Sequence, residues 1–272
     1  MFKHLSYSHL HLLACPYSAF LKYQAAVKGP TTKWIALGNA VHHGIEKSHG
    51  EENRFNVDNA IALFKEEFSR IVEDEQVSIG WPELKKMEAE GIDMLVRYDA
   101  QVNEGTLSPS PLALEEPFEI PFLDTAIVGR IDKIEQDENG YIVTDFKTGK
   151  QKPTQWSLSH NVQLSTYAWA VLEKYGVLPY KLVWHHLRTG ELLPTTRSMQ
   201  DVEDVKNMVG NAIAINEAGI RTRIYHDNVC NMCDYQGPTC DDRELEKEAL
   251  EALSIGERLD ARVVIKPPKW SI

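Results

Sequence analysis

The spacing of hydrophobic residues changes near Leu112 from a helical period to a strand period. Before that point apolar side chains recur every three or four positions, which predicts helices at 6–23, 33–49, 56–73 and 81–104. After it, alternating or continuous apolar runs predict strands at 112–120, 127–134, 141–147 and 181–187, with helices at 157–175, 201–218 and 241–253. This order of elements is typical of a mixed α/β fold.

The two central strands form a predicted β-hairpin with a polar turn at 137–140. Asp145 and Lys147 are two residues apart on the second strand, so their side chains leave the same face, and Asp132 on the first strand can approach them. Two carboxylates and an ammonium then converge at one place. A metal ion would neutralise the two acids, since an unpaired buried charge is costly. An exposed hairpin with ordinary solvated charges is the alternative.

Two pairs of polar residues lie one turn apart on predicted helices. His42 and Glu46 share a face of the second helix, in which Gly38 permits close approach of other backbone. Gln163 and Tyr167 share a face of a later helix. Taken alone, both pairs also fit ordinary surface positions.

The formal net charge is -11, so the protein as a whole does not attract nucleic acid or anionic membranes. Any binding of phosphate must therefore come from a local basic patch or from bound cations. The clearest basic segment is the loop at 148–153, which contains Lys150 and Lys152. This loop is well placed to meet phosphates, although two lysines are equally compatible with plain solvation.

Length and composition are those of an ordinary globular protein. The 272 residues are 43% hydrophobic and 25% charged, which suffices for one elaborated domain with a helical insertion at 51–104. No run of eighteen apolar residues exists, and the first residues are too polar for the core of a signal peptide. We therefore expect a cytoplasmic protein with no membrane partner.

Three of the four cysteines lie close together near the end of the chain. Cys230 and Cys233 are separated by two residues and can chelate one centre, and the intervening Gly237-Pro238 lets Cys240 reach it. In a reducing cytosol such cysteines are metal ligands or thiols rather than disulfides. Cys15 is the remaining cysteine, so the count suggests a four-thiolate site. A tetrathiolate zinc site is the alternative to an iron-sulfur cluster.

Taken in order, these motifs resemble the RecB-like branch of the PD-(D/E)XK nuclease superfamily, and within it the iron-sulfur exonucleases related to the CRISPR-adaptation nuclease and the AddB nuclease domain. The motifs are Cys15-Pro16, Gly38-x-x-x-His42, Glu115, Gly129-Arg-Ile-Asp132, Asp145-Phe-Lys147, Gln163-x-x-x-Tyr167 and the group of Cys230, Cys233 and Cys240. Phe146 stands where the family often has Tyr, and the last cysteine gap is six residues.

The resemblance implies a restriction-endonuclease-like core, with a mixed sheet flanked by helices, in a single domain over 1–272. It also implies a metal site for Mg2+ or Mn2+ made by His42, Asp132, Asp145 and the backbone carbonyl of Phe146. The catalytic set would add Lys147, Gln163 and Tyr167, with Glu115 as an outer-shell or additional ligand. DNA would contact Lys150 and Lys152.

By the same resemblance, Cys15, Cys230, Cys233 and Cys240 would hold a [4Fe-4S] cluster that joins residue 15 to the segment 228–241. The implied function is a metal-dependent exonuclease that acts on single-stranded DNA or DNA ends in the 5'-to-3' direction. Its setting would be recombination, replication or CRISPR adaptation, with helicase, recombination or integrase proteins as partners. The alternative is a non-catalytic DNA-binding scaffold.

The chain contains no Gly-x-x-x-x-Gly-Lys-Ser/Thr loop, because Gly149-Lys150 is followed by Gln151. We therefore expect cleavage without ATP, and unwinding of duplex DNA by another protein.

Overall fold

A mixed five-stranded sheet lies within residues 31–206 of the computed structural model. Its strands lie side by side in chain order: β1 (Ala113–Phe122), β2 (Thr125–Asp137), β3 (Gly140–Lys147), β4 (Lys181–His186) and β5 (Glu191–Thr195). All neighbouring strands are antiparallel except β3 and β4, which are parallel. The predicted mixed sheet flanked by helices is confirmed. The edge strand β5 was not predicted, because it is short and contains Pro194.

The structure describes residues 4–12, 14–49, 55–231, 233–241, 247, 248 and 250. The chain divides into two compact units, one of residues 31–206 and the other of residues 1–30 with 207–272. Most of the predicted helix at 241–253, and the first four positions of the predicted insertion, lie outside the described residues. A single nuclease domain over 1–272 stays a prediction.

The helices of the first unit are α3 (Lys33–Lys47), α4 (Val57–Asp74), α5 (Trp81–Asn103), α6 (Gln155–Ser159) and α7 (Val162–Tyr175); α8 (Met199–Glu217) leads from it into the second unit. The second unit also contains α1 (Tyr7–Leu12), α2 (Pro16–Ala19), a π-helical turn (Phe20–Gln24), α9 (Asp227–Cys230) and α10 (Pro238–Asp241). Among the described residues, no helix is long and apolar enough to cross a membrane.

Two predicted helices are each divided by a residue that starts a new helix. The prediction of one helix over 157–175 is wrong, because the Asn161 side chain accepts a hydrogen bond from the Leu164 amide and so caps α7. In the predicted helix over 6–23, the sequence also predicts a kink or a new turn at Pro16, and α2 begins at that residue, which has no amide hydrogen and is suited to a first turn.

The two helices of the predicted insertion pack against the sheet strand that carries the predicted active site. Helices α4 and α5 bury Phe64, Leu95 and Tyr98 in one core cluster that also contains Phe146 of β3. The rings of Tyr98 and Phe146 meet edge to face, with centroids 5.6 Å apart. Phe146 is the residue between Asp145 and Lys147, so the insertion helps to fix the backbone of that motif.

The face of the sheet toward α5 contains a buried polar layer. Lys133 is fully buried and lies 3.0 Å from Glu135, and its ammonium lies over the Tyr98 ring at 5.8 Å from the centroid. His185 is also buried and hydrogen-bonds Gln101 at 2.9 Å. Burial lowers the pKa of His185 to about 3, with a smaller contribution from the Lys133 charge, so this imidazole is neutral.

The glycine at the start of the Gly129-Arg-Ile-Asp132 segment makes room for an aromatic ring on the neighbouring strand. Gly129 is paired with Phe118 of β1, and an added Cβ would overlap the Phe118 ring. That ring in turn contacts Tyr167 of α7 edge to face, with centroids 6.1 Å apart. The glycine therefore lets Phe118 support a predicted site residue.

We predict that Gly129→Ala destabilises the protein by about 1–3 kcal/mol, because Phe118 must leave its position. The free energy of unfolding in urea measures this change. The matched control is Gly210→Ala in α8, where a Cβ meets no atom within 4 Å. The control should be neutral or stabilising by up to about 1 kcal/mol. Equal effects of the two substitutions would contradict the role of Gly129.

Candidate active site

Three side chains from different elements meet at one end of the hairpin. His42 of α3, Glu115 of β1 and Asp132 of β2 each present a ligand atom, and these atoms lie within 4.8 Å of one another. His42 Nδ1 is 3.4 Å from Glu115 Oε1 and 3.7 Å from Asp132 Oδ1. An imidazole nitrogen with carboxylate oxygens is a donor set that suits Mn2+ or Mg2+. The group could therefore hold a divalent metal ion.

Glu115 reaches this group through an unusual backbone conformation. Leu114 pairs with Lys133 and Glu116 with Ile131, so Glu115 lies opposite Asp132 in the register of β1 and β2. Its φ angle is +46°, in the left-handed region that a non-glycine residue rarely adopts. Strained residues of this kind are concentrated at functional sites. The resemblance implies an outer-shell or additional ligand role for Glu115, and the structure brings its carboxylate into the group itself.

The backbone of Phe146 links β3 to the same group. Its amide donates a hydrogen bond to Asp132 Oδ2 at 2.6 Å, and its carbonyl oxygen lies 3.2 Å from His42 Nε2. Donation from Nε2 to this carbonyl leaves Nδ1 directed at the two carboxylates. The predicted partner of His42 on its own helix, Glu46, instead pairs with Lys47 at 2.6 Å.

Asp145 and Lys147 begin a second chain of contacts, which runs to α7. Lys147 Nζ is 2.6 Å from Asp145 Oδ2 and donates to Gln163 Oε1 at 2.9 Å. The Gln163 amide then donates to the Tyr167 hydroxyl at 2.8 Å. Asp145 is fully buried, and within the described residues its Oδ1 accepts no hydrogen bond. The structure thus joins all four predicted residues in one network.

Burial and neighbouring charges oppose the ionisation of two acids of the site, Asp132 and Asp145. Burial raises the pKa of Asp132, and the Asp145 charge raises it further against the opposing effect of His42. Burial also raises the pKa of Asp145, although Lys147 opposes it. For His42, burial lowers the pKa, but Asp132 and Glu115 outweigh this effect and raise it to about 8. A bound divalent cation would favour the ionised carboxylates.

The two lysines of the basic loop have different surroundings. Lys152 pairs with Glu191 of β5 at 2.6 Å. Lys150 instead lies over the ring of Trp34, with its ammonium 4.6 Å from the centroid. None of the predicted site residues is Trp34, although it precedes Gly38 and His42 at intervals of four residues on α3. That spacing was the signal that could have found it.

The four cysteines line one cavity of about 310 Å3 within the unit formed by residues 1–30 and 207–272. Burial raises the pKa of the Cys233 and Cys240 thiols, and the charge of Cys15 adds to this effect for both. Within the described part of the chain, no three cysteine sulfurs lie inside 4.8 Å of one another. The sulfurs therefore share a cavity without forming a closed group around one point.

Comparison with known proteins gives one family. The sequence model of the PD-(D/E)XK nuclease superfamily matches residues 4–240. A solved structure described as "Crystal structure of SSO0001" is similar over 74% of this chain and 92% of its own length, with 14% sequence identity and a TM-score of 0.36. No curated protein matches the chain.

We predict that Glu115→Gln lowers the pKa of His42 from about 8 toward its ordinary value of 6.5 in metal-free protein. The neutral amide removes one of the two carboxylate charges that favour the imidazolium. NMR titration of the imidazole protons measures the change. Glu46→Gln is the control, since Glu46 is one helical turn away but pairs with Lys47. An equal decrease in both variants would assign the effect to overall charge.

Proposed function

Because the chain belongs to the PD-(D/E)XK nuclease superfamily, we propose that it is a metal-dependent exonuclease that hydrolyses phosphodiester bonds of DNA. The observation that carries the proposal is the convergence of His42, Glu115 and Asp132 beside the buried pair of Asp145 and Lys147. A fold that served only as a scaffold would have no use for so many ionisable groups at one buried place.

The residues of the site fit a divalent metal ion. Asp145 Oδ1 is a buried acceptor without a donor in the described chain, and burial raises the pKa of both Asp132 and Asp145, so a bound cation would favour their ionised forms. Asp132, Asp145, Glu115 and His42 would hold the ion, with the Phe146 carbonyl as a further oxygen donor. When bound, the ion polarises the scissile phosphate and lowers the pKa of the attacking water.

Lys147 supplies the positive charge that the chain itself contributes to the reaction. Its ammonium is fixed by Asp145 on one side and by Gln163 on the other. Held in this way, it stabilises negative charge that develops on the phosphoryl oxygens and orients the attacking water. Gln163 and Tyr167 position the ammonium from α7, and Phe118 packs against Tyr167.

The substrate class and direction follow from the resemblance noted in the sequence. We propose that the enzyme degrades single-stranded DNA or DNA ends in the 5'-to-3' direction, as part of recombination, replication or CRISPR adaptation. Helicase, recombination or integrase proteins would be its partners, and a helicase among them would supply the unwound DNA. The superfamily match supports a metal-dependent nuclease, and the direction and setting are those that the resemblance implies.

We further propose that Cys15, Cys230, Cys233 and Cys240 hold a structural [4Fe-4S] cluster. All four thiols line the same cavity of about 310 Å3, and thiolates are the ligands such clusters use. Four sulfurs around a single zinc ion at about 2.3 Å would lie roughly 3.8 Å from one another.

We predict that wild-type protein degrades end-labelled linear single-stranded DNA with Mn2+ or Mg2+ and not with EDTA. Asp132→Asn and Lys147→Ala should each lower the rate by at least about 100-fold, since the first removes a carboxylate from the metal site and the second removes positive charge beside the phosphate. Lys147→Ala should still bind DNA. Asp137→Asn, in the exposed hairpin turn of the same strand, is the control and should cleave normally.

The position of the label gives the direction, and circular single-stranded DNA tests for internal cleavage. Loss of linear but not circular DNA is the result expected of an exonuclease. A folded wild-type protein that binds DNA without cutting it would favour the scaffold function instead.

We predict that Cys233→Ala removes the visible absorbance of anaerobically purified protein and lowers its melting temperature by roughly 5–10 °C. The cluster would be lost together with the cross-link that it provides. Measured iron and zinc contents distinguish the two metals. A colourless wild-type protein with one zinc ion per chain would contradict the iron-sulfur proposal, and unchanged stability of a colourless variant would contradict the structural role.

A further inference from the structure

A positively charged aromatic patch lies at the start of α3. It consists of Trp34 and the three cations around its ring, Lys33, Lys150 and Arg188, and we call it the Trp34 patch. The Lys150 ammonium is 4.6 Å from the ring centroid, that of Lys33 is 5.6 Å away, and the Arg188 guanidinium carbon is 6.0 Å away. Trp34 remains 43% exposed, so part of its ring faces solvent.

The cations of the patch differ in how far the protein itself neutralises them. Lys33 pairs with Glu83 at 2.6 Å, and Arg188 is anchored by Glu90 at 2.7 Å and by the Thr148 carbonyl. Lys150 forms no ion pair within the described part of the chain. The patch thus presents an uncompensated positive charge beside an exposed aromatic ring, in a protein whose net charge is -11.

The patch lies on the active-site side of α3. Trp34, Gly38 and His42 follow one another at intervals of four residues, so they share one face of the helix. The eight residues from Trp34 to His42 span about 12 Å. A Cβ at Gly38 would lie 3.1 Å from Thr148 Oγ1, so the loop that carries Lys150 packs against the helix between the two ends of this face. The distance of about 12 Å along α3 from Trp34 to His42 corresponds to about two to four nucleotides of a single strand.

We propose that Trp34 is a stacking platform for an unpaired base of the DNA substrate, and that Lys150 contacts the adjacent phosphate. This inference rests on the proposed nuclease function, which it deepens by assigning the substrate strand a path from the metal site along α3. An exposed indole offers its face to any base, and stacking of this kind needs a base that is free of its own duplex. Arg188 holds the Lys150 loop against the helix through the Thr148 carbonyl.

The test is the affinity of the cleavage-deficient Asp132→Asn protein for a labelled mixed-sequence oligonucleotide, with Trp34 variants made in the same background. Trp34→Ala and Trp34→Leu should each weaken binding of single-stranded DNA by about tenfold, while Trp34→Phe, which keeps an aromatic face, should lose less than about threefold. Trp81→Ala is the matched control, because Trp81 is 70% exposed and, among the described residues, makes no contact with a cation. It should leave binding unchanged.

The salt dependence of binding tests the phosphate contact. Lys150→Ala should weaken binding several-fold and reduce the slope of log affinity against log salt concentration by about 0.7, the value for one contact on a single strand. Lys152→Ala should have a smaller effect, because Glu191 already pairs with Lys152.

Unchanged affinity of Trp34→Leu for single strands would overturn the proposal. An equal loss on a blunt duplex of the same length would also overturn it, since paired bases cannot stack on the indole. These binding results do not depend on cleavage. The wild-type protein could cut no DNA while the Trp34→Leu variant binds single strands more weakly than its Asp132→Asn parent. That result would contradict the nuclease function but support the role of Trp34 as a stacking platform.

Discussion

The burial of several carboxylates at one end of a hairpin is the constraint on which the rest of the site depends. Asp145 is completely enclosed and Asp132 nearly so, with Glu115 opposite Asp132 on the neighbouring strand. Each negative charge raises the cost of the next. The protein offsets this cost with the Lys147 ammonium, the Phe146 amide and the His42 imidazole, and a metal ion would offset the remainder.

This constraint explains why the surroundings of the site are rigid. The ammonium of Lys147 is fixed by Gln163, which is itself fixed by Tyr167, and Phe118 packs on Tyr167 because Gly129 has no side chain. On the other face of the sheet, the core of α4 and α5 supports Phe146. Charged groups held by packed neighbours need no rearrangement when charge develops on a substrate.

Local periodicity in the amino-acid sequence is enough to place several residues of the site. Strand alternation puts Asp145 and Lys147 on one face of β3, and the helical repeat puts Gln163 and Tyr167 on one face of α7. Both periodicities depend only on residues that are close together in the chain. Three features depend on distant or exceptional geometry. The positive φ of Glu115 contradicts the strand pattern around it. The break at Asn161 arises from a side-chain cap within an apolar run, and two of the cations around Trp34, Lys150 and Arg188, come from segments distant from it in the chain.

The contact between Tyr98 and Phe146 also affects whether the protein could be shortened by deletion of residues 51–104. The segment 51–104 interrupts the motifs and carries none of its own, which makes it an obvious candidate for deletion in protein engineering. Yet its helix α5 supplies Tyr98, whose ring packs against the ring of Phe146. The backbone amide of Phe146 donates to Asp132, and its carbonyl oxygen contacts His42. A shortened version would need a replacement for that ring, since the Phe146 side chain would otherwise lose its packing on that face of the sheet.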